Sequence, residues 1–271
     1  MSHWNEQKIT KVTTAKDLTQ TLKALGVTAT DTLFVHTKLS AFGFIPGGEE
    51  GVVVALKQTV PQGNVMMNTQ TSDFSDPKEW GYPPADPKTW ATIREAMPAY
   101  DPQTTPVHMI GKTPEFFRTQ PDTVRSDHPL YSFAAWGGDA YALTSDHALD
   151  LPFGSTSPLA KFVAKEGKIV FLGTDYETCT LLHLAESLID RPTITEWAKI
   201  KQGGEEEWVA FQNVDLEPYD DFADCGAAFE QAHPQAIRTA DVQGTIVKVI
   251  DSQPLIDFAT AYYRKKDQDN Y

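Results

Sequence analysis

A strand, a helix and a second strand follow one another with short connections between residues 32 and 67. The apolar run Thr32–His36 predicts a buried strand, and Asn64–Met67 predicts another. Between them, Gly47 and Gly48 precede a helical pattern of apolar residues, namely Val52, Val53, Leu56 and Val60. Because a helical crossover joins parallel strands, this unit favours a parallel sheet.

The rest of the chain continues the alternation of helices and strands. Thr14–Asp17 resembles a capping box that opens a helix ending near Gly26. Residues 168–173 predict a strand, 178–190 a helix ended by Pro192, and 252 onwards a final helix. We therefore expect an α/β fold, a layered α/β/α sandwich with a mixed, largely parallel central sheet. No repeat or flexible linker divides the chain, which predicts a single domain over residues 1–271.

Residues 72–106 form an excursion rich in proline and aromatic residues. Its rings include Trp80, Tyr82, Trp90 and Tyr100. A long segment of this composition inside a compact protein is typical of a binding loop or a linker. The rings favour a binding loop, since they need a surface to pack on.

Charge and hydropathy exclude some classes of function. Asp and Glu number 37 against 23 Lys and Arg, giving a formal net charge of −14. Such a surface repels nucleic acid and attracts cations, although acidity also serves solubility in many proteins. No apolar run is long enough for a membrane span, and the polar start of the chain predicts no secretion signal. We expect a cytoplasmic protein without a membrane partner, with Cys179 and Cys225 reduced and an undetermined oligomeric state.

The predicted helix over 178–190 carries a histidine and a carboxylate on one face. His183 and Glu186 are three residues apart, so their side chains are neighbours. A carboxylate beside an imidazole fixes its tautomer and stabilises the imidazolium, as a general base requires. The helix also follows the end of a buried strand, where open α/β sheets bind ligands. The alternative is the solvated face of an ordinary surface helix.

Two other histidines are weaker candidates. His36 ends a buried strand, where it can simply satisfy backbone groups, and His128 lies in a polar turn. Together with His183 they show no metal-ligand spacing, so we expect no catalytic metal.

The loop after the first strand is a weak phosphate-binding candidate. Residues 37–43 carry small and hydroxyl-bearing side chains, and loop amides or a helix N-terminus can hold phosphate. Neither a dinucleotide fingerprint nor a P-loop is present.

Several ordered blocks resemble the aminoglycoside 3-N-acetyltransferase (antibiotic N-acetyltransferase) family. They are Val35–Ser40, Asp76–Trp80, Ile93–Pro98, Glu115–Arg118, Arg125–Pro129, Ser132–Gly137, Ser157–Leu159 and His183–Glu186. The order and spacing of the blocks carry the resemblance.

The resemblance implies transfer of an acetyl group from acetyl-CoA, the cosubstrate, to an amine, typically N3 of a 2-deoxystreptamine ring. It implies that His183 is the base and Glu186 its carboxylate partner. It also implies that a loop cradles CoA, formed by His36, Thr37, Lys38, Leu39, Ser40, Phe42 and Gly43. Thr71 or backbone amides are candidates for stabilising the oxyanion.

A cationic acceptor needs carboxylates and walls around its pocket. We expect Asp73 and Asp175 to bind its ammonium groups, while Trp80 and Tyr82 line or gate the cleft. The alternative for each acid is a solvated surface charge.

The chain also departs from the family pattern. Lys38 stands where a serine is common, Asn68 where a proline is usual, and Ile110 where a methionine is usual. These departures bear on the acceptor more than on CoA use. A non-catalytic or weakly active CoA-binding homologue, or an acyltransferase for a different small-molecule amine, stays open as an alternative.

Overall fold

The computed structural model describes residues 8–216, 218, 219 and 221–270. Its strands are β1 (Thr32–Thr37), β2 (Asn64–Asn68), β3 (Thr123–Arg125), β4 (Phe133–Gly137), β5 (Lys168–Leu172), β6 (Thr193–Gln202), β7 (Glu205–Val214), β8 (Ile237–Val242) and β9 (Thr245–Asp251). Its helices are α1 (Ala15–Ala24), α2 (Glu49–Thr59), α3 (Trp90–Ala96), α4 (Lys112–Arg118), α5 (Ala140–Thr144), α6 (Pro158–Ala164), α7 (Leu182–Ser187), α8 (Phe222–Ala232) and α9 (Ser252–Asn270).

The main sheet has seven strands in the order β3-β4-β2-β1-β5-β9-β8. The three central strands β2, β1 and β5 are parallel, as the strand–helix–strand pattern predicts. The outer strands pair antiparallel. The α/β fold with a mixed sheet is therefore confirmed, and parallel pairing is confined to its centre.

Helices cover both faces of this sheet because neighbouring side chains of a strand point to opposite faces. Phe34 of β1 packs into one apolar cluster with residues of α5 to α9. Leu33 and Val35, its neighbours on β1, pack into a second cluster with residues of α1, α2 and α4. The layered arrangement follows from this alternation.

The capping box predicted for the first helix is confirmed. Asp17 N–H donates to the Thr14 hydroxyl at 3.2 Å, and Thr14 N–H donates to the Asp17 carboxylate at 2.8 Å. These bonds satisfy backbone donors that the first helical turn leaves unpaired.

The proline- and aromatic-rich excursion packs on a two-stranded hairpin, β6–β7. Asp76 N–H donates to the Trp197 carbonyl at 3.2 Å, and Tyr100 N–H donates to the Lys199 carbonyl at 2.9 Å. Trp208 Nε1 donates to the Arg94 carbonyl at 3.0 Å. The excursion is therefore fixed to the body of the protein at several points, as a binding loop requires and a free linker does not.

Within the part of the chain that the structure describes, no helix is long and apolar enough to cross a membrane. The polar start of the chain, which predicts no secretion signal, lies outside the described residues. The single domain over residues 1–271 stays a prediction.

Candidate active site

A buried histidine–carboxylate pair lies on the short helix α7, directly after the carboxyl end of β5. His183 Nδ1 lies 2.8 Å from Glu186 Oε2. The side chains are 10% and 1% exposed, respectively. Because a carboxylate accepts hydrogen bonds, Nδ1 is a protonated nitrogen, and in the neutral ring Nε2 carries the lone pair. The spacing of three residues thus produces the contact that the sequence predicts.

The interpretation of this helix as one with a solvated face is wrong. The helix is shorter than predicted: a 3₁₀ turn at Tyr176–Thr178 precedes α7, which spans only Leu182–Ser187. Cys179, between that turn and α7, is completely buried. Because α8 and α9 pack over it, α7 places His183 and Glu186 inside the protein, not on its surface.

Two aromatic rings hold the imidazole of His183. Phe153 stacks on it with ring centroids 4.9 Å apart, and Phe222 meets it edge-on, also at 4.9 Å. Such contacts restrict the ring to one orientation and exclude water from its faces. Glu186 is fixed from its other side, where Arg191 Nη1 donates to Oε1 at 2.6 Å.

His183 borders a cavity of about 270 Å³ at the carboxyl ends of the central strands. The lining comprises Val35, His36, Thr37, Asn68, Gln70, Met109, Ile110, Pro114, Glu177, Thr178, Thr180, His183 and Phe222. Asn68 Nδ2 donates to the Thr180 hydroxyl at 3.1 Å, which joins the end of β2 to the segment leading into α7. The cavity therefore brings together the first loop, the end of the second strand and the candidate base.

The predicted CoA loop is only partly accessible. His36 and Thr37 line the cavity, Lys38, Ser40 and Gly43 are exposed, and Leu39 is half-buried. Phe42 is 1% exposed and packs in the apolar cluster with α1 and α2. Its assignment to CoA binding is therefore contradicted for the side chain, because the ring, at the end of a 3₁₀ turn over Leu39–Phe42, is buried with the core.

His36 is a neutral imidazole inside the protein. Burial lowers its pKa to about 3. Its ring lies between two aromatic neighbours, with centroids 4.6 Å from Phe34 and 5.4 Å from Phe171. His36 therefore contributes a wall to the cavity and carries no charge at neutral pH.

The structure does not support Thr71 as an oxyanion donor. Its side chain is completely buried, and its hydroxyl donates to the Pro129 carbonyl. Thr71 is also not among the residues that line the cavity. The hydroxyl is committed to joining the segment after β2 to the turn before β4.

A second cleft of about 410 Å³ adjoins the first at Met109, which lines both. Three of the residues predicted to bind the acceptor line it together: Asp73, Trp80 and Tyr82. Asp73 Oδ2 lies 2.5 Å from His108 Nδ1. The excursion therefore places a carboxylate and two aromatic side chains beside the cavity of His183.

Asp175 does not join this group. Lys248 Nζ donates to both of its carboxylate oxygens, at 2.7 and 2.9 Å. Asp175 lines a small pocket with Glu230 and Lys248, so the structure gives its carboxylate a lysine partner in place of the predicted acceptor ammonium group. Glu177, two residues later, lines both this pocket and the His183 cavity.

His128 has a structural role. Its Nδ1 accepts from the amides of Leu130 and Tyr131 at 3.2 and 3.0 Å, and Nε2 donates to the Leu149 carbonyl at 3.1 Å. Burial and the neighbouring His147 lower its pKa well below the usual value. Among the described residues, no group of three or more His, Cys, Asp or Glu side chains is arranged to hold a metal ion.

Comparison with known proteins places the chain in a family. The family model described as aminoglycoside 3-N-acetyltransferase matches residues 34–264. Aminoglycoside N(3)-acetyltransferase VII of Streptomyces paromomycinus is 36% identical over 279 residues, covering 95% of this chain and 92% of the relative.

Solved structures agree with this result. The crystal structure of the YokD protein from Bacillus subtilis superposes with a TM-score of 0.91 at 34% identity, covering 95% of this chain and 96% of that one. A structure described as AAC-IIIb binary with CoASH superposes with a TM-score of 0.83 at 29% identity, covering 94% and 97%. By sequence and by fold, the chain belongs to the aminoglycoside 3-N-acetyltransferase family.

Proposed function

We propose that this protein transfers an acetyl group from acetyl-CoA to an amine of an aminoglycoside-like acceptor, N3 of a 2-deoxystreptamine ring. His183 is the general base. The observation that carries the proposal is the buried His183–Glu186 pair, with its 2.8 Å hydrogen bond, at the wall of a cavity that the start of the first loop also lines.

The chemistry requires one proton transfer and one acyl transfer. The acceptor nitrogen attacks the thioester carbonyl carbon, a C–N bond forms, and the C–S bond breaks to release the CoA thiolate. The nitrogen gives up a proton, which the lone pair on His183 Nε2 takes while Glu186 stabilises the resulting imidazolium. The imidazolium then gives this proton up, directly or through solvent, to the CoA thiolate, which leaves a neutral thiol and restores the base.

Direct attack fits the residues around the cavity better than a covalent acyl-enzyme. Burial raises the pKa values of Cys179 and Cys225 to about 12, so both are thiols at neutral pH. Neither is among the residues lining the cavity, and a thiol is a poor nucleophile compared with a thiolate. The acetyl group therefore passes from thioester to amine without a protein intermediate.

The donor binds along the loop after β1. His36 and Thr37 form the cavity wall, and Lys38 and Ser40 stand exposed beyond it, where a phosphate can reach them. The first turn of α2 carries Glu49 and Glu50, which oppose a phosphate at that helix end. Lys38 therefore supplies the positive charge for the CoA diphosphate.

The acceptor binds in the cleft of the excursion. Asp73 supplies a carboxylate for an ammonium group, and Trp80 and Tyr82 supply walls. Glu177 offers a second carboxylate at the His183 cavity. With Thr71 committed elsewhere, the oxyanion is stabilised by backbone amides.

A thiol-release assay tests the proposal. The purified protein is incubated with acetyl-CoA and a panel of amines that includes 2-deoxystreptamine aminoglycosides, an analogue lacking the N3 amine, and simple polyamines. We expect thiol release only when the N3 amine is present, with one acetyl group added to the product by mass spectrometry. Acetylation confined to another amine would show that the protein uses a different acceptor. Thiol release that no amine accelerates would show that the protein is a CoA-binding homologue without turnover.

A further inference from the structure

The His183–Glu186 pair continues into two more charged side chains that no step of the transfer reaction uses. Arg191 Nη1 donates to Glu186 Oε1 at 2.6 Å. The opposite edge of the same guanidinium faces Asp267 near the end of α9: Nε donates to Oδ2 at 2.9 Å and Nη2 to Oδ1 at 3.1 Å. We define the relay as His183, Glu186, Arg191 and Asp267.

The relay is built into the interior. The Arg191 side chain is 3% exposed and lies between the rings of Tyr263 and Tyr219, with its Cζ 5.2 and 5.6 Å from their centroids. The Tyr219 hydroxyl donates to Asp267 Oδ1 at 2.8 Å. Because the fork is bonded at both edges and packed against two rings, Arg191 fixes the carboxylate that in turn fixes the base.

Charge counting explains why a second carboxylate is needed. With His183 neutral, the four side chains sum to −1, and proton capture from the acceptor brings the sum to zero. Without Asp267, the same capture would leave a buried excess of one positive charge, which is costly in a low-dielectric interior. Asp267 thus offsets the charge of Arg191 at the moment the base is protonated.

The pKa shifts of Arg191 and Asp267 agree with this role. Burial lowers the pKa of Arg191, but its hydrogen bonds to Asp267 and Glu186 outweigh burial and raise it. Burial raises the pKa of Asp267, but bonds from Arg191 and Tyr219 outweigh burial and lower it. Both groups are therefore charged at neutral pH.

Among the described residues, other charged groups near the relay are Glu177, which lines the cavity of His183, and Lys266 and Asp221. From α9, Lys266 pairs with Asp221, which immediately precedes α8. Cys225 of α8 has its pKa raised by burial to about 12 and is an uncharged thiol. Asp267 lies beyond residue 264, where the match to the family model ends.

We propose that Arg191 and Asp267 are positioning residues that hold Glu186 and set the charge around the base, so that the end of α9 tunes acetyl transfer. This inference rests on the proposed function, since it needs His183 to be the base. Neither residue is among those lining the cavity, so their effect is on turnover and not on substrate binding.

The test compares charge-changing variants through kcat, the two KM values and the pH profile of kcat. Asp267→Asn removes the offsetting charge and should lower kcat by about 10-fold, as loss of an outer partner of a histidine does elsewhere. It should also move the acidic limb of the profile to lower pH by roughly 0.5–1 unit. Arg191→Met leaves two carboxylates behind the base and should move the limb the opposite way. Arg191→Lys keeps the charge and should leave the limb in place with reduced kcat.

Asp257→Asn is the matched control, an exposed residue of the same helix whose carboxylate bonds Gln253 at 2.8 Å. It should behave as wild type. A shift of the acidic limb to lower pH in Asp267→Asn and to higher pH in Arg191→Met supports the relay. General loosening of the fold would not shift the limb in opposite directions in the two variants. If Arg191→Met fails to fold, the test is the comparison of Asp267→Asn, in which the limb should shift, with Arg191→Lys, in which it should stay in place.

An unchanged pH profile and unchanged kcat in Asp267→Asn, in a protein where His183→Ala abolishes turnover, would overturn the relay and leave the proposed function intact. Full turnover in His183→Ala would instead overturn the proposed function.

Discussion

His183 Nδ1 donates to Glu186 Oε2 across 2.8 Å, and Glu186 Oε1 accepts from Arg191 at 2.6 Å. The carboxylate therefore has one oxygen on the base and one on a buried cation. This geometry gives Glu186 two duties, which are to orient the imidazole and to neutralise Arg191. A change at Glu186 should consequently affect both turnover and stability.

We expect Glu186→Gln to lower kcat by about 10- to 100-fold, since the amide still accepts from Nδ1 but no longer stabilises the imidazolium by charge. The free energy of unfolding should fall by about 3 kcal/mol, because one partner of a buried ion pair is lost. Steady-state kinetics and urea denaturation measure the two effects. Glu95→Gln, a change at an exposed glutamate of α3, should alter neither. Wild-type kcat in Glu186→Gln would show that the carboxylate has no part in the reaction.

Lys38 should bind the CoA diphosphate. Lys38→Glu places a negative charge where the loop after β1 needs a positive one, so calorimetry should show CoA binding weakened by about 10-fold or more, the effect of reversing one charge contact. The weakening should diminish at high salt. Lys23→Glu, an exposed lysine of α1, is the matched control and should bind CoA as wild type. Equal affinity in both variants would place the diphosphate elsewhere.

Substitutions of Asp73 and Asp175 should have different effects on the acceptor KM. Asp73→Asn should raise the acceptor KM by about 5-fold and leave the acetyl-CoA KM unchanged, because one carboxylate is lost from the excursion cleft. Asp175→Asn should leave the acceptor KM as in wild type, since that carboxylate is paired with Lys248. The acceptor KM of the wild type should also rise with ionic strength. A salt-independent acceptor KM, equal in wild type and Asp73→Asn, would remove this site and indicate a neutral acceptor.

The protein should lose stability as the pH falls below about 6.5. Burial lowers the pKa of His36 to about 3, so between pH 6.5 and 3 the unfolded chain binds a proton that the native protein does not. The contribution of His36 is fully present above pH 6.5 and is lost towards pH 3, at roughly 1.4 kcal/mol per pH unit. In His36→Gln, the unfolding free energy measured from pH 7.5 to 4.5 should fall less steeply. An identical slope in the two proteins would contradict the buried, neutral state of His36.

Local pattern predicted the parts of this fold that depend on neighbours in the chain. The strand–helix–strand unit over residues 32–67, the capping box at Thr14 and the contact between His183 and Glu186 all follow from spacing alone. The resemblance to the family also indicated the loop after β1, whose His36 and Thr37 line the cavity of His183.

Long-range packing decided what the pattern could not. Phe42 stands in a loop in sequence but lies in the core, because α1 and α2 pack over it. Asp175 faces Lys248 from β9, a pairing between residues 73 positions apart that no local signal reveals. Arg191 and Asp267 are 76 positions apart and meet only because α9 packs on α7.

The structure shows where the residues that depart from the family pattern lie. Asn68 and Ile110 both line the cavity beside His183, and Asn68 bonds Thr180 within it. Lys38 stands at the predicted CoA loop. The cavity wall of this chain thus differs from the common pattern where we propose that the acceptor and the thioester meet.

The turnover of His183→Ala with the best acceptor tests the central claim most directly. The variant should fold as wild type by circular dichroism and bind CoA with unchanged affinity, because the ring is held by Phe153 and Phe222 and not by the CoA loop. Its kcat should fall on the order of 10²–10⁴-fold, the usual contribution of a general base. Wild-type kcat in a folded His183→Ala protein would contradict the assignment of His183 as the base.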